Sequence, residues 1–167
     1  MKISMIKAAL ASTVFAAAAM TATSAQAATA SASATAKILT QVTVTKTADL
    51  DFGTIANGTG GGSVQVGLTD NRTCATTLVC SATVTSAKFN IAGAASQNVA
   101  ISVDPSVTLN RVGGGASMTA TLSASAATAT LSGTGTGSFA VGGDLTVAAA
   151  QTAGDYSGTF NVVVNYQ

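Results

Sequence analysis

Few side chains in this sequence could do chemistry, and their spacing decides what chemistry remains. The 167 residues include no His, no Trp and no Glu, and the six acidic residues are all Asp. General acid–base catalysis, nucleophile activation and transition-metal binding draw mainly on imidazole and carboxylate groups. This inventory argues against an enzyme. Cys74 and Cys80 stand close together around Ala75-Thr76-Thr77-Leu78-Val79. Two thiols with no His in the chain do not fill a tetrahedral metal shell, and a redox pair favours the closer C-x-x-C spacing. In an oxidising compartment the two are expected to close as a structural disulfide, contributing ~2 kcal/mol for so short a loop. No metal and no cofactor are expected. Asp49 and Asp51 share a strand face, but no further oxygen ligands cluster nearby, so they are read as solvated charge. Gly133-Thr134-Gly135-Thr136-Gly137 is followed by neither Lys nor a helix and is read as a turn, not a phosphate cradle. Asn57-Gly58-Thr59 and Asn71-Arg72-Thr73 match the N-x-[ST] acceptor pattern, which is frequent by chance in a Thr-rich chain.

The elements that carry these residues are read from the two ends inward. Lys2 and Lys7 precede an apolar run from Ala8 to Met20, and the small-x-small sequence Ala25-Gln26-Ala27 follows. This is the pattern of a secretory signal peptide over residues 1–27, with cleavage before Ala28. The apolar run is short of the ~20 residues a membrane span needs. No later segment is apolar enough to cross a bilayer, so the mature chain is expected to have no transmembrane segment. After Ala27, Lys37, Lys46, Arg72, Lys88 and Arg111 face the six Asp. That near balance gives no reason to expect a nucleic-acid partner.

At the other end, Gly154–Gln167 alternates with period two. Tyr156, Gly158, Phe160, Val162, Val164 and Tyr166 fall on one face, and mostly polar residues fall on the other, with Val163 the apolar exception. Successive side chains of a strand point to opposite faces, so this reads as one long strand with a buried and a wet face. It needs a pairing partner along its length, because terminal segments fray unless tied down. The segment after the cleavage point alternates too. Ala30, Ala32, Ala34, Ala36, Ile38, Val42 and Val44 share one face. We divide it into an extension, residues 28–41, and the first strand of a domain spanning residues 42–167. The extension lacks bulky anchors at its start and cannot fold alone, yet a flexible linker has no use for alternation. It is expected to complete some sheet as an added strand.

Between the ends, short alternating runs recur about every ten residues, separated by Gly and Asn turns. They fall near residues 63–68, 87–92, 99–103, 107–109, 117–123, 129–131, 138–141 and 145–148, with Asp104-Pro105 ending one of them. The Ala-rich stretch 120–130 is read as strand and turn because Ser and Thr interrupt it. The pattern predicts an all-β chain, an antiparallel sandwich with Greek-key connections. Phe52, Phe89, Phe139, Tyr156 and Phe160 are its expected bulky core, with Tyr166 at the edge. Such a core is thin, so partner strands are expected to add stability.

The tail resembles the last strand of chaperone–usher pilin subunits, where the penultimate residue is commonly Tyr and a Gly sits fourteenth from the end. Here these are Tyr166 and Gly154. The alternating extension looks like the donor strand of that family. Asp49-Leu50-Asp51-Phe52-Gly53 and the series Gly154, Tyr156, Gly158, Phe160, Val162, Val164, Tyr166 also look like a pilin-like secreted bacterial family of unknown function. The resemblance implies an immunoglobulin-like sandwich lacking its final strand. A periplasmic chaperone would fill the gap first. At an outer-membrane usher, the extension of a neighbouring copy would then replace the chaperone, building a surface fibre by donor-strand exchange. Such a fibre would serve adhesion or biofilm formation. The donor face would be Ala30, Ala32, Ala34, Ala36, Ile38, Val42 and Val44, and the accepting edge the strand from Gly154 to Tyr166. The alternative is a self-complemented secreted sandwich that binds a ligand at the cell surface.

Overall fold

The computed structural model describes residues 27–56, 58 and 60–167. The signal-peptide reading falls almost wholly outside the described residues, as do Asn57 and Thr59 of the first N-x-[ST] match. The chain divides into two units, residues 1–36 and 37–167. In the first, residues 27–36 are exposed and belong to no strand.

The second unit is all antiparallel β, as expected, and no described residue is helical. Its strands are β1 (Thr43–Ala48), β2 (Thr54–Ala56), β3 (Gly62–Val66), β4 (Arg72–Cys74), β5 (Val79–Ser81), β6 (Ala87–Ala92), β7 (Asn98–Val103), β8 (Ser106–Arg111), β9 (Ser117–Ala124), β10 (Thr128–Thr130), β11 (Thr136–Val147), β12 (Tyr156–Ser157) and β13 (Val162–Tyr166). The large sheet runs β1-β6-β11-β9-β8-β12, with β3 also on β11 and β4 on β3. A second sheet runs β10-β7-β13, and β2 pairs with β5.

Alternation explains most of these strands. In β6, Ala87, Phe89 and Ile91 are buried while Lys88, Asn90 and Ala92 face solvent. The two runs read at 138–141 and 145–148 are one strand. Gly142 and Gly143 join them, because this backbone packs too closely for side chains: a Cβ on Gly142 would lie 2.5 Å from the Val66 carbonyl oxygen. Glycine inside a strand marks just such an approach. β11 therefore pairs with β6 along its first half and with β3 along its second. The β8–β9 turn holds Gly113, Gly114 and Gly115 at φ of 91°, 83° and 86°, a region that side chains with a Cβ seldom adopt.

The core forms two clusters. Val64, Val66, Ala120, Leu145 and Val147 centre the first, beneath the β3–β11–β9 part of the large sheet. Phe89, Ile91, Val99, Phe139, Val141 and Val164 centre the second, between the large sheet and the β10-β7-β13 sheet. Phe89 stacks on Phe139 at 5.0 Å between ring centroids and meets Phe160 edge-on at 6.4 Å. At the rim, Asp70 accepts bonds from Ser86 N and Oγ, both at 2.8 Å, and from Lys88 Nζ at 2.6 Å. The Lys88 bond, with the two from the buried Ser86, holds the Asp70 carboxyl down to about 2 from its ordinary 3.8.

Candidate strand-accepting groove

Two ribbons of chain bound the site. The first comprises β1, then Leu50 and Phe52, then β2. The last comprises β12, then Phe160, then β13. The tail is not the single strand that its alternation predicts. β12 pairs with β8 in the large sheet, β13 pairs with β7 in the smaller one, and residues 158–161 pass between them. Asp104-Pro105 is the cause. It turns β7 out of one sheet and into β8 of the other, and the tail follows both strands around that corner. The Asp104 carboxylate pins the crossing, with Oδ2 accepting from Asn161 N at 2.8 Å and Asn161 Nδ2 at 3.0 Å.

The two ribbons run antiparallel with no hydrogen-bonded ladder between them, since β1 pairs only with β6 and β13 only with β7. They are tied at one end. The Tyr166 hydroxyl accepts from Ala94 N at 2.6 Å and donates to the Thr40 carbonyl at 2.8 Å. Farther along, Val44 and Leu50 from the first ribbon and Phe160, Val162 and Val164 from the last pack on the same core. At the far end the ribbons enclose a cavity of about 510 Å³, between residues 50–56 and 151–156. Its floor is apolar: Leu109, Met118, Leu145 and Val147.

Both walls of this cavity are braced. Cys74 and Cys80 form the expected disulfide, with Cα atoms 6.3 Å apart. It joins β4 of the large sheet to β5, and Cys80 lies opposite Ile55 in the β2–β5 pair. The staple thus holds the β2 wall. On the other wall, Arg111 Nε donates to the Ala153 carbonyl at 2.8 Å. The Tyr156 hydroxyl donates to the Thr152 carbonyl four residues upstream at 2.6 Å, the habit of the tyrosine corner in Greek-key sandwiches.

The free edge of β13 has a defined polarity. Asp104 N donates to the Asn161 carbonyl and Gln167 N to the Asn98 carbonyl, each at 3.1 Å. Backbone partners in an antiparallel pair alternate. The odd-numbered residues therefore bond β7, and Val162, Val164 and Tyr166 turn their N–H and C=O groups to the open side. Their side chains face the core, while Val163 is 51% exposed.

The residues read as a donor face separate into two groups. Ala30, Ala32, Ala34 and Ala36 are exposed, and Ile38 is 95% exposed. Val42 and Val44 pack against the chain's own core, because β1 is already paired with β6. Of the tail residues, Tyr156, Phe160, Val162 and Tyr166 are half-buried, Val164 is buried and Gly158 is exposed. Sequence reasoning did not single out the cavity floor. Leu109 and Met118 oppose each other across the β8–β9 pair, and only the alternation of those strands marked them as inward-facing.

The profile of a family described as "Domain of unknown function (DUF4402)" matches residues 42–166. The chain belongs to this family. The matched stretch takes in both ribbons and the cavity between them, and the extension lies outside it. No curated protein and no solved structure shows a significant match.

Proposed function

We propose that this member of the family is the structural subunit of a surface fibre, secreted through its N-terminal leader and assembled by strand addition. The extension of one copy enters the groove between the two ribbons of the next. The observation that carries this reading is the unpaired edge of β13, with a cavity of apolar floor and polar walls at the far end of the two ribbons. An exposed sheet edge recruits a strand through its main chain, and pockets for alternate side chains select which strand.

Size matching supports one register. Every pair in the fold is antiparallel. An extension added antiparallel to the tail with Ile38 at Tyr156 sets Ala36, Ala34, Ala32, Ala30 and Ala28 opposite Gly158, Phe160, Val162, Val164 and Tyr166. Alanine then falls beside the tail's own aromatic and branched side chains, and Ile38, the one large residue of that face, falls at the cavity. A parallel strand would instead bring Ile38 to Tyr166, whose hydroxyl is already bonded on two sides. A contact of this head-to-tail kind does not close on itself and grows into a fibre. Before assembly, a periplasmic chaperone would cover the same edge and an outer-membrane usher would receive the complex. Neighbouring copies are the lasting partners, and adhesion or biofilm formation is the role such a fibre serves.

The test compares the chain from Ala28 to Gln167 with one that starts at Lys37, on unheated gels and by negative-stain microscopy. Heat-sensitive ladders or thin fibres from the longer chain alone are the expected result. Monomers from both, equally stable, would overturn the proposal and leave a self-complemented surface sandwich.

A further inference from the structure

The outer face of the large sheet carries a second concavity, well separated in chemistry from the groove. It is an open, shallow depression of about 400 Å³ over β1, β6 and β11. Strand register places Thr45, Asn90 and Ser138 in one row across three adjacent strands, and Thr43, Ala92 and Thr136 in the next. Neighbouring strands lie ~4.8 Å apart, so the first row offers an amide with a hydroxyl on each side at close, regular spacing. In the second row the Thr136 hydroxyl is engaged by the Ser132 hydroxyl at 2.9 Å, and Thr43 bonds the Ala92 carbonyl. The side chains of Thr45, Asn90 and Ser138 make no hydrogen bond among the described residues.

We infer that this depression binds a neutral saccharide. No charged side chain and no thiol lines it, which leaves nothing to recognise a metal ion, a phosphate or a sulfated ligand. The apolar atoms beneath it belong to Ile91, which is buried, and to Ala92 and Gly137, too little exposed surface for a lipid or an apolar peptide. What the site offers is neutral hydrogen bonding. The Asn90 amide carries two donors and an acceptor, and each hydroxyl does both jobs. Adjacent hydroxyls on a sugar ring present the complementary pattern, and the small Ala92 and Gly137 leave room for a ring to lie flat against the sheet. No aromatic side chain lines the depression to stack on the ring, so a single site is weak. Presentation in many copies raises the effective strength without any new contact. The inference concerns a different face from the groove and does not depend on fibre assembly.

Saturation-transfer NMR tests it with the chain from Ala28 to Gln167 and maltohexaose, cellohexaose and mannohexaose as separate probes. Each is used at about ten times a millimolar Kd. At least one neutral hexasaccharide is expected to show transfer. Asn90→Ala is expected to weaken it at least ~10-fold, the step that separates one power of ten in affinity. The double substitution Thr45→Val with Ser138→Ala is expected to do the same, and Thr119→Val on another part of the outer face is expected to leave it unchanged. Amide spectra of each variant confirm the fold. Transfer from none of the three probes overturns the inference, and so does transfer that survives Asn90→Ala or is lost equally in Thr119→Val.

Discussion

Replacing Ile38 by Ala isolates the step on which fibre growth depends. In the free subunit Ile38 is 95% exposed, so its truncation removes no contact from the folded domain. In the assembled state its side chain would enter the cavity of about 510 Å³ beside Met118 and Leu145. The change to Ala deletes three carbons, each worth about 0.8 kcal/mol when buried. The loss is about 2.4 kcal/mol, or roughly 50-fold in affinity. A labelled peptide of residues 28–41 reports this directly, by fluorescence anisotropy against the chain that starts at Lys37. The Ile38→Ala peptide should bind roughly 50-fold more weakly, while an Ala32→Ser peptide should lose far less. The corresponding full chain should give shorter ladders with unchanged thermal stability of the subunit. Equal affinity of the wild-type and Ile38→Ala peptides would refute the register, because Ile38 is the one large side chain on the alternating face that this register turns to the groove.

Three further outcomes test the domain. Removing the staple with Cys74→Ala and Cys80→Ala together should lower stability by ~2 kcal/mol, measured by urea unfolding, with faster hydrogen exchange at Ile55 on the cavity wall. Phe89→Ala removes a buried ring that stacks on Phe139 and meets Phe160. It should cost about 3–5 kcal/mol, seen as a lowered urea midpoint. For Asp70, the folded carboxyl sits at about 2 against an ordinary 3.8. A depressed acid stabilises the fold fully above its unfolded value and loses that effect as pH falls through its folded one. The stability gap between wild type and Asp70→Asn should therefore hold steady above about pH 4 and close between pH 4 and about pH 2, which urea midpoints at three pH values would show.

Much of the fold was legible because period-two alternation is strong wherever one face is buried. β6, β7, β8 and β9 fall within a residue or two of the runs read from the sequence, and the disulfide followed from elimination among two thiols. The misreadings have physical causes. Gly142-Gly143 looks like a turn, yet it lies inside β11, since local composition does not reveal that Val66 and Phe52 press on that backbone. The tail looks like one strand because alternation survives the crossing at residues 158–161. The bend is dictated by Asp104-Pro105, more than fifty residues upstream. β2, β4 and β5 are three residues each, too short to show any period. The cavity is produced wholly by tertiary placement. Its floor comes from three strands and its walls from two ribbons distant in sequence, so no stretch of chain announces it.

The triple-glycine tip between β8 and β9 has a practical consequence. A Cβ built on Gly113, Gly114 or Gly115 would meet nothing within 4 Å, and Val112 beside them is 64% exposed. Exposed loop tips of small residues are where foreign sequence is best tolerated. The hairpin they cap is closed by its own ladder, from Asn110–Ser117 and Leu109–Met118 beside the tip to Ser106–Thr121 at the far end, not by the tip. A short epitope spliced between Gly113 and Gly115 would leave the open edge of β13 untouched and would exchange the Arg111 bond to Gly114 for solvent. The subunit is in this respect a scaffold for antigen display, carrying one inserted peptide per protomer on a loop tip anchored at its base by Arg111 and by the bond from Val112 N to the Asp155 carbonyl.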